Sequence, residues 1–202
     1  FTVWMMSETK TTNRRERKKQ QTRDALIEAA WSLFREKGFD DTTVEEIAEA
    51  VDVSTRTFFR YFDSKEAVLF GEWRADLGLI RAFLLSRPVD EHPLVSLKEL
   101  SIAAAIQWEQ DPLALERKQI GLRSAKIKDY EIQNIGPAID AVVVEAFAVR
   151  LGVDPSEDLR PELYSSVGLA ALFTAKRRWA LSGGKASMSE LIRDAFELII
   201  DA

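Results

Sequence analysis

Residues 54–61, Ser-Thr-Arg-Thr-Phe-Phe-Arg-Tyr, put three aliphatic hydroxyls, two guanidinium groups, two phenyl rings and a phenol into one short run. Hydroxyls and backbone N–H groups at a helix N-terminus suit phosphate oxygens, and Arg meets a guanine edge with two parallel hydrogen bonds. On one helix, Ser54, Thr57 and Tyr61, with Lys65 further on, would hold a nucleic-acid backbone. Thr55, Arg56 and Arg60 would read base edges, with Phe59 against a thymine methyl, while Phe58 and Phe62 point inward. Thr43, at the start of the preceding helix, joins the DNA-facing set. From spacing alone a generic helical hairpin competes with this reading.

Other chemistry is poorly supplied. The 202 residues contain no cysteine and one histidine, which excludes a disulfide scaffold, a Cys-type zinc site, an iron–sulfur cluster and a cysteine nucleophile. Any triad or His-rich metal site would have to be built around His92, which sits beside prolines in an expected loop. Glu45 and Glu46 are accounted for as helix-capping residues. No catalytic residue, metal site or cofactor is expected.

The elements that must position the run 54–61 are helical, because apolar residues recur at helical spacing after residue 16 without period-two alternation. An all-α fold of about nine helices follows. The first spans about 17–37, with Leu26, Ala29, Ala30, Leu33 and Phe34 on one stripe and Gly38 as its stop. Thr43 with Glu46 makes a capping box for a short second helix, with Thr42 and Glu45 as the alternate register. Ser54 caps the third. Two short helices joined by a tight turn after a longer one form a helix-turn-helix unit whose second short helix can lie in a major groove. Asp63 with Glu66 opens a long fourth helix over about 64–86. Asp111-Pro112 starts a sixth, Pro137 must break or kink the helix over about 126–151, an eighth begins near Pro161, and Ser187 with Glu190 boxes the last.

Charge is unevenly spread. The chain totals 28 Lys+Arg against 33 Asp+Glu, net −5. Yet Lys10, Arg14, Arg15, Arg17, Lys18, Lys19 and Arg23 face only Glu16, so this stretch is strongly cationic. Arg14, Arg15, Arg17 and Lys18 lead into the first helix and could follow phosphates or enter a minor groove; a solvated tail is the bland alternative. Phe1–Trp4 precede two methionines and are read as residues upstream of the fold.

The run Thr42-Thr43-Val44-Glu45-Glu46-Ile47-Ala48, followed by Val51-x-Val53-Ser54-x-x-Thr57-x-Phe59-x-Tyr61-Phe62-x-Ser64-Lys65-Glu66, resembles the signature of the TetR family of bacterial transcriptional regulators. The resemblance covers about residues 20–70, and the later helices suit the family's nine-helix plan. Position 59 is usually Tyr in that pattern and is Phe here. The resemblance implies a disordered arm over 1–15, a helix-turn-helix domain over 16–65, and a ligand-binding and dimerisation domain over 66–202. It also implies a homodimeric, cytoplasmic repressor on double-stranded operator DNA, released by a hydrophobic small-molecule effector.

Two apolar stripes in the body suit dimerisation. Val167 and Ala171 on the eighth helix, and Leu191, Ile192, Ala195, Phe196 and Ile199 on the last, would pair across a two-fold axis. The alternative is that both stripes close the monomer's own core. Candidate effector contacts are Trp73, Leu77, Gln107, Trp108, Arg123, Tyr130, Asn134, Phe147, Phe173 and Arg177. The segment Leu113-x-Leu115-Glu116-Arg117-Lys118, with Arg123, resembles the C-terminal domain of mycofactocin-type regulators, implying a long-chain acyl-CoA-like effector. The longest unbroken apolar run, Val167 to Phe173, is far below the ~18 residues of a membrane helix, so no membrane partner is expected. A non-catalytic helical interaction module, and more remotely a small helical enzyme, are the rival readings.

Overall fold

The computed structural model describes residues 14–71 and 73–200, which are helical with no strand among them. The chain divides into two compact units between Gly71 and Glu72, six residues beyond the boundary expected at 65/66.

The N-terminal unit is built on α1 (Arg14–Lys37), which buries Leu26, Ala30, Trp31 and Phe34 at helical spacing. Arg14 and Arg15 therefore stand in its first turn, not in the arm to which the sequence assigned them; the remainder of that arm lies outside the described residues. Gly38, at φ +90°, ends α1 and donates its N–H to the Phe34 carbonyl at 3.1 Å. In α2 (Val44–Glu49) the capping box takes the Thr43/Glu46 register. Thr42 is buried and donates its hydroxyl back to the Gly38 carbonyl at 2.8 Å, which excludes the alternate register.

The turn into α3 (Thr55–Phe59) places Asp52 at φ +54°, a left-handed conformation that a short polar side chain tolerates better than most. Val53 N–H then closes on the Ala48 carbonyl at 3.0 Å, and Ser54 accepts from Thr57 N–H at 3.1 Å. The next N-cap is Ser64, accepting from Ala67 N–H at 3.3 Å, rather than Asp63. The expected single helix over 64–86 is two, α4 (Lys65–Phe70) and α5 (Trp73–Ser86), because Gly71 adopts φ +60° and breaks the ladder.

The C-terminal unit continues with α6 (Pro93–Gln110), capped by His92, whose Nδ1 accepts from Leu94 N–H at 3.2 Å. In α7 (Ala114–Arg123) the helix starts later than Asp111-Pro112 suggested; the Asp111 carboxylate instead closes a turn on Leu113 N–H. α8 (Ala125–Tyr130) runs through a π-helical turn (Glu131–Ile135) into α9 (Gly136–Leu151). Gly136 donates to the Glu131 carbonyl five residues back, and this widened turn accommodates Pro137, which has no N–H to give. The expected break or kink thus takes the form of a π-bulge in a continuous helix. That helix is long and apolar enough to cross a membrane by length and composition, although polar residues interrupt its apolar runs. Its Val143, Ala146, Phe147 and Ala148 are nevertheless buried in the unit's own packing.

α10 (Arg160–Leu181) and α11 (Met188–Ile200) pack on each other and on α6. Their core includes Leu84, Leu97, Phe147, Trp179, Ile192 and Phe196. One expectation about dimerisation changes here. Ile192 and Phe196 are fully buried, and Ala171 is buried with them, inside one chain, so they are not available to a partner; Leu191, Ala195 and Ile199 are half-buried against the same core. Gly168 lets α10 approach α6 within the same chain: a Cβ there would lie 2.5 Å from a Leu97 methyl.

A polar clamp fixes the α5–α6 connection. Glu91 takes two hydrogen bonds from Arg87, at 2.9 and 2.5 Å, and one from Ser96 at 2.6 Å. Arg150 of α9 donates to Ser96 and to the carbonyls of Leu84, Pro88 and Glu91. Gly168→Val should destabilise the unit by about 1–3 kcal/mol through overpacking, whereas Ala170→Val, at an exposed position two residues on, should be near neutral in thermal denaturation.

Candidate nucleic-acid interface

α3 has five residues, too few to persist alone, and its orientation comes from one ring. Phe58 is fully buried, with Phe59 and Phe62 rings at 5.5 and 5.6 Å; Phe62 is buried too and lies under the Arg23 guanidinium. With Phe58 inward, the 100° step of a helix turns Arg56, Phe59 and Arg60 outward, and all three are exposed. Thr55, Thr57 and Tyr61 are half-buried along the edges. Phe59 is 53% exposed, a large apolar ring on a surface otherwise made of hydroxyls and guanidiniums. Arg60 stacks on Tyr61 at 5.1 Å and reaches its phenol oxygen at 3.4 Å, which holds the guanidinium close to the helix. Ser54 hydroxyl lies 3.0 Å from Thr57 hydroxyl, so the two form a paired polar edge at the helix N-terminus.

Thr43 is exposed, but its hydroxyl is engaged with Glu46: it accepts from Glu46 N–H at 3.2 Å and reaches the carboxylate at 3.1 Å. Lys37 pairs with the same carboxylate. Lys37 and then the Thr43 backbone N–H hold the Glu46 carboxyl well below its usual range, at about 2.

Lys65 departs from expectation. Its Nζ donates to the carbonyls of Phe39 at 2.6 Å, Thr42 at 2.7 Å and Asp40 at 3.3 Å, and lies 4.4 Å over the Phe39 ring. An ammonium has three donors, and these carbonyls take them. Lys65 therefore ties the α1–α2 loop to α4, and it is not the phosphate clamp that its place in the motif suggested. Arg14, Arg15, Arg17 and Lys18 are exposed on the first two turns of α1. Cations there oppose the positive end of the helix dipole, an arrangement that an anionic partner would relieve.

The expected effector residues are not brought to one place. Phe147 is fully buried core, and Gln107, Arg123 and Arg177 are exposed. Trp73, Leu77, Tyr130 and Asn134 are half-buried, and Asn134 donates to the Tyr130 carbonyl within its own turn. Phe173 is 42% exposed. Two of this set carry a cation on a ring face: Trp73 has the Arg74 guanidinium at 4.7 Å, and Trp108 has the Lys176 ammonium at 3.3 Å. The sequence pattern favoured Arg177, yet the helix phase selects its neighbour: Leu169 and Ala180, close to Lys176 on the α10 wheel, are both buried.

A small three-helix module ending in an outward Thr/Arg helix, beside a larger helical unit, is the architecture of a one-component DNA-binding regulator. Known proteins agree. Residues 26–70 match the model of bacterial regulatory proteins of the tetR family, and residues 93–202 match that of the MftR C-terminal domain. TcmR of Streptomyces glaucescens, an HTH-type transcriptional regulator, is 32% identical over 93% of this chain and 85% of its own. MftR of Mycobacterium tuberculosis is 24% identical over 91% of each chain. Among solved structures, NalD of Pseudomonas aeruginosa overlays with a TM-score of 0.65 at 18% identity, covering 90% of this chain and 96% of its own. FadR of Thermus thermophilus, a repressor in complex with lauroyl-CoA, overlays at 0.55 and 24%, covering 88% and 93%. The chain belongs to the TetR family of bacterial regulatory proteins. It is a DNA-binding transcriptional regulator of the ligand-responsive type.

Lys65→Met should lower the stability of the N-terminal unit by about 2 kcal/mol, since it removes charge-assisted bonds to three carbonyls. Arg56→Ala should leave stability unchanged and abolish specific DNA binding; chemical denaturation and gel shifts on the same samples separate the two effects. Glu46 carries a second expectation. Its carboxyl is lowered from 4.5 to about 2, so its stabilising effect is complete above pH 4.5 and disappears as the pH falls toward 2. Glu46→Gln should flatten the loss of α2 helicity over that acid range in a circular-dichroism titration.

Proposed function

We propose that the chain is a homodimeric repressor that holds two half-sites of an operator through α3 and is released by an apolar effector carrying an anionic head. The observation that carries the DNA part is α3 itself: Arg56, Phe59 and Arg60 are exposed together because Phe58 is buried behind them. Arg56, Arg60 and Thr55 read bases, with Phe59 against a thymine methyl, and Ser54, Thr57 and Tyr61 meet phosphates. Arg14, Arg15, Arg17 and Lys18 add sequence-independent attraction from α1. Residues 14–71 serve as the DNA-binding part, and the chain acts in the cytoplasm, where its operator is.

Dimerisation supports the reading because two α3 helices bound as one rigid body combine their free energies. With Ile192 and Phe196 committed to the core, the partner surface falls to the outer residues of α10 and α11. Leu163, Leu181 and Leu198 are 56%, 71% and 78% exposed there, with Val167 half-buried beside Ala170. Leu198→Asp together with Leu181→Asp should give folded monomers in light scattering, while a dimer of unchanged affinity would contradict this face.

For release, B-DNA half-sites recur about every 34–36 Å, so a conformer that alters the separation of the two α3 helices frees one of them from its groove. An effector favours that conformer only by its higher affinity for it. The long-chain acyl-CoA-like effector draws support from the MftR C-terminal match and from the lauroyl-CoA seen in the FadR neighbour.

A gel shift with the DNA upstream of the chain's own operon tests the function. Specific, salt-sensitive binding is expected, and none at low salt would overturn it. Changing Arg14, Arg15, Arg17 and Lys18 to Gln should reduce the slope of log affinity against log salt by about 0.9 for each phosphate that is no longer neutralised. An unchanged slope would remove α1 from the interface.

A further inference from the structure

The inward cation of α10 has no role in the DNA-binding reading. Lys176 is half-buried, and its ammonium rests on the Trp108 ring of α6. Among the described residues, no carboxylate forms an ion pair with it. From α7, Arg117 spends one terminal nitrogen on Asp111 at 3.3 Å, and its buried Nε has no hydrogen-bond partner among the described residues. Lys118 bonds both oxygens of Glu131 in the π-helical turn, at 3.1 and 3.2 Å. Lys176 thus lies near two other cations whose carboxylate partners, Asp111 and Glu131, are already engaged. Of the other charged groups, Glu109 of α6, next to Trp108, takes the Met188 N–H, and Glu116 of α7 has a partner of its own; Asp140 and Glu145 of α9 bond Ser165 and Arg81, and Glu190, Arg193, Asp194 and Glu197 of α11 are exposed.

Apolar side chains stand among these charges. Leu172 and Phe173, one turn before Lys176, stand on its side of α10, and Ile132 beside Glu131 is 68% exposed. Burial first, with Lys118 and Arg117 adding repulsion against the pull of Glu131, pushes the Lys176 ammonium down to about 7. A cation held against an aromatic ring, without an ion-pair partner and rimmed by alkyl groups, matches one kind of visitor, an amphiphile with a negative head.

We propose that Lys176, Arg117 and Trp108 form the subsite for the anionic head of the effector, and that the subsite takes up a proton when it is filled. The proposal rests on the effector reading above and adds to it the residues and a pH dependence. An anion beside Lys176 stabilises its charged form, so binding is strongest where Lys176 is already protonated. Above pH 7 each binding event must also bring a proton, and affinity falls as the pH rises.

Titration calorimetry of the full chain with laurate, lauroyl-CoA and 1-dodecanol, at pH 6.5 and 8.5, tests this. Laurate or lauroyl-CoA should bind at least tenfold more tightly than dodecanol at pH 6.5, and about twentyfold more weakly at pH 8.5 than at pH 6.5. Tighter laurate assigns the subsite to a carboxylate, and tighter lauroyl-CoA to phosphates. Lys176→Met should cost the anions tenfold or more and leave dodecanol unchanged. Lys176→Arg, which keeps the charge at every pH, should bind the anions with the pH dependence gone and keeps the test intact if the Met variant does not fold. Equal affinity for laurate and dodecanol, no binding of any of the three, or an unaltered pH profile in Lys176→Arg would overturn the proposal. Operator binding by the ligand-free chain is read separately: its failure would sink the regulator reading and leave the calorimetric result standing.

Discussion

The burial of Phe58 is the constraint on which the N-terminal unit depends. A five-residue helix gains too little from its own hydrogen bonds to offset the order it requires, so tertiary packing must hold it. One fully buried Phe ring is worth roughly 1.5–3 kcal/mol, more than any single bond in the turn. It also sets phase. Once residue 58 faces the unit's core, residues 56, 59 and 60 have no alternative but to face out, and the pattern that can meet DNA is a by-product of the pattern that makes a core. The Ser54 cap and the Asp52 turn then decide where the helix begins, and Lys65 keeps the loop before α2 from moving relative to α4.

The C-terminal unit follows a different logic. Its core is closed by α6, α9, α10 and α11 within one chain, and close packing at Gly168 leaves no slack between α6 and α10. What the core cannot absorb is charge. Arg150 is accommodated by four hydrogen-bonded partners, and desolvation lowers its pKa even so. Lys176 rests on a ring face. The two inward cations differ in kind: Arg150 keeps four oxygen partners although its Nε has none, whereas Lys176 has a ring face and, among the described residues, no ion pair.

Much of this was legible in the residues because the relevant physics is local. Caps need two residues three apart, and Thr43/Glu46 and Ser54 were readable on that basis; the apolar phase of α1 and α3 was readable for the same reason. Long-range partners were not. Lys65 bonds the Phe39 carbonyl 26 positions away, which no spacing rule anticipates, so a motif position that suggested phosphate contact hid a staple. The stripe of Ile192 and Phe196 announced that something covers it, but not whether that is α6 of the same chain or a second copy. Gly71 ended a helix whose apolar period continued across it, and the π-helical turn before Pro137 replaced a break because widening one turn costs less than abandoning the helix. Lys176 could have been found by checking which of the consecutive cations 176–178 lies in phase with Leu169 and Ala180.

The central claim is that DNA meets the outer face of α3 and that Lys65 stays with the protein. Side-chain nitrogen resonances, followed by nuclear magnetic resonance as operator DNA is added, address both halves at once. The guanidinium signals of Arg56 and Arg60 should shift and slow their exchange with solvent, while the Lys65 ammonium signal stays in place. Specific binding that moves Lys65 and leaves Arg56 and Arg60 untouched would contradict the account.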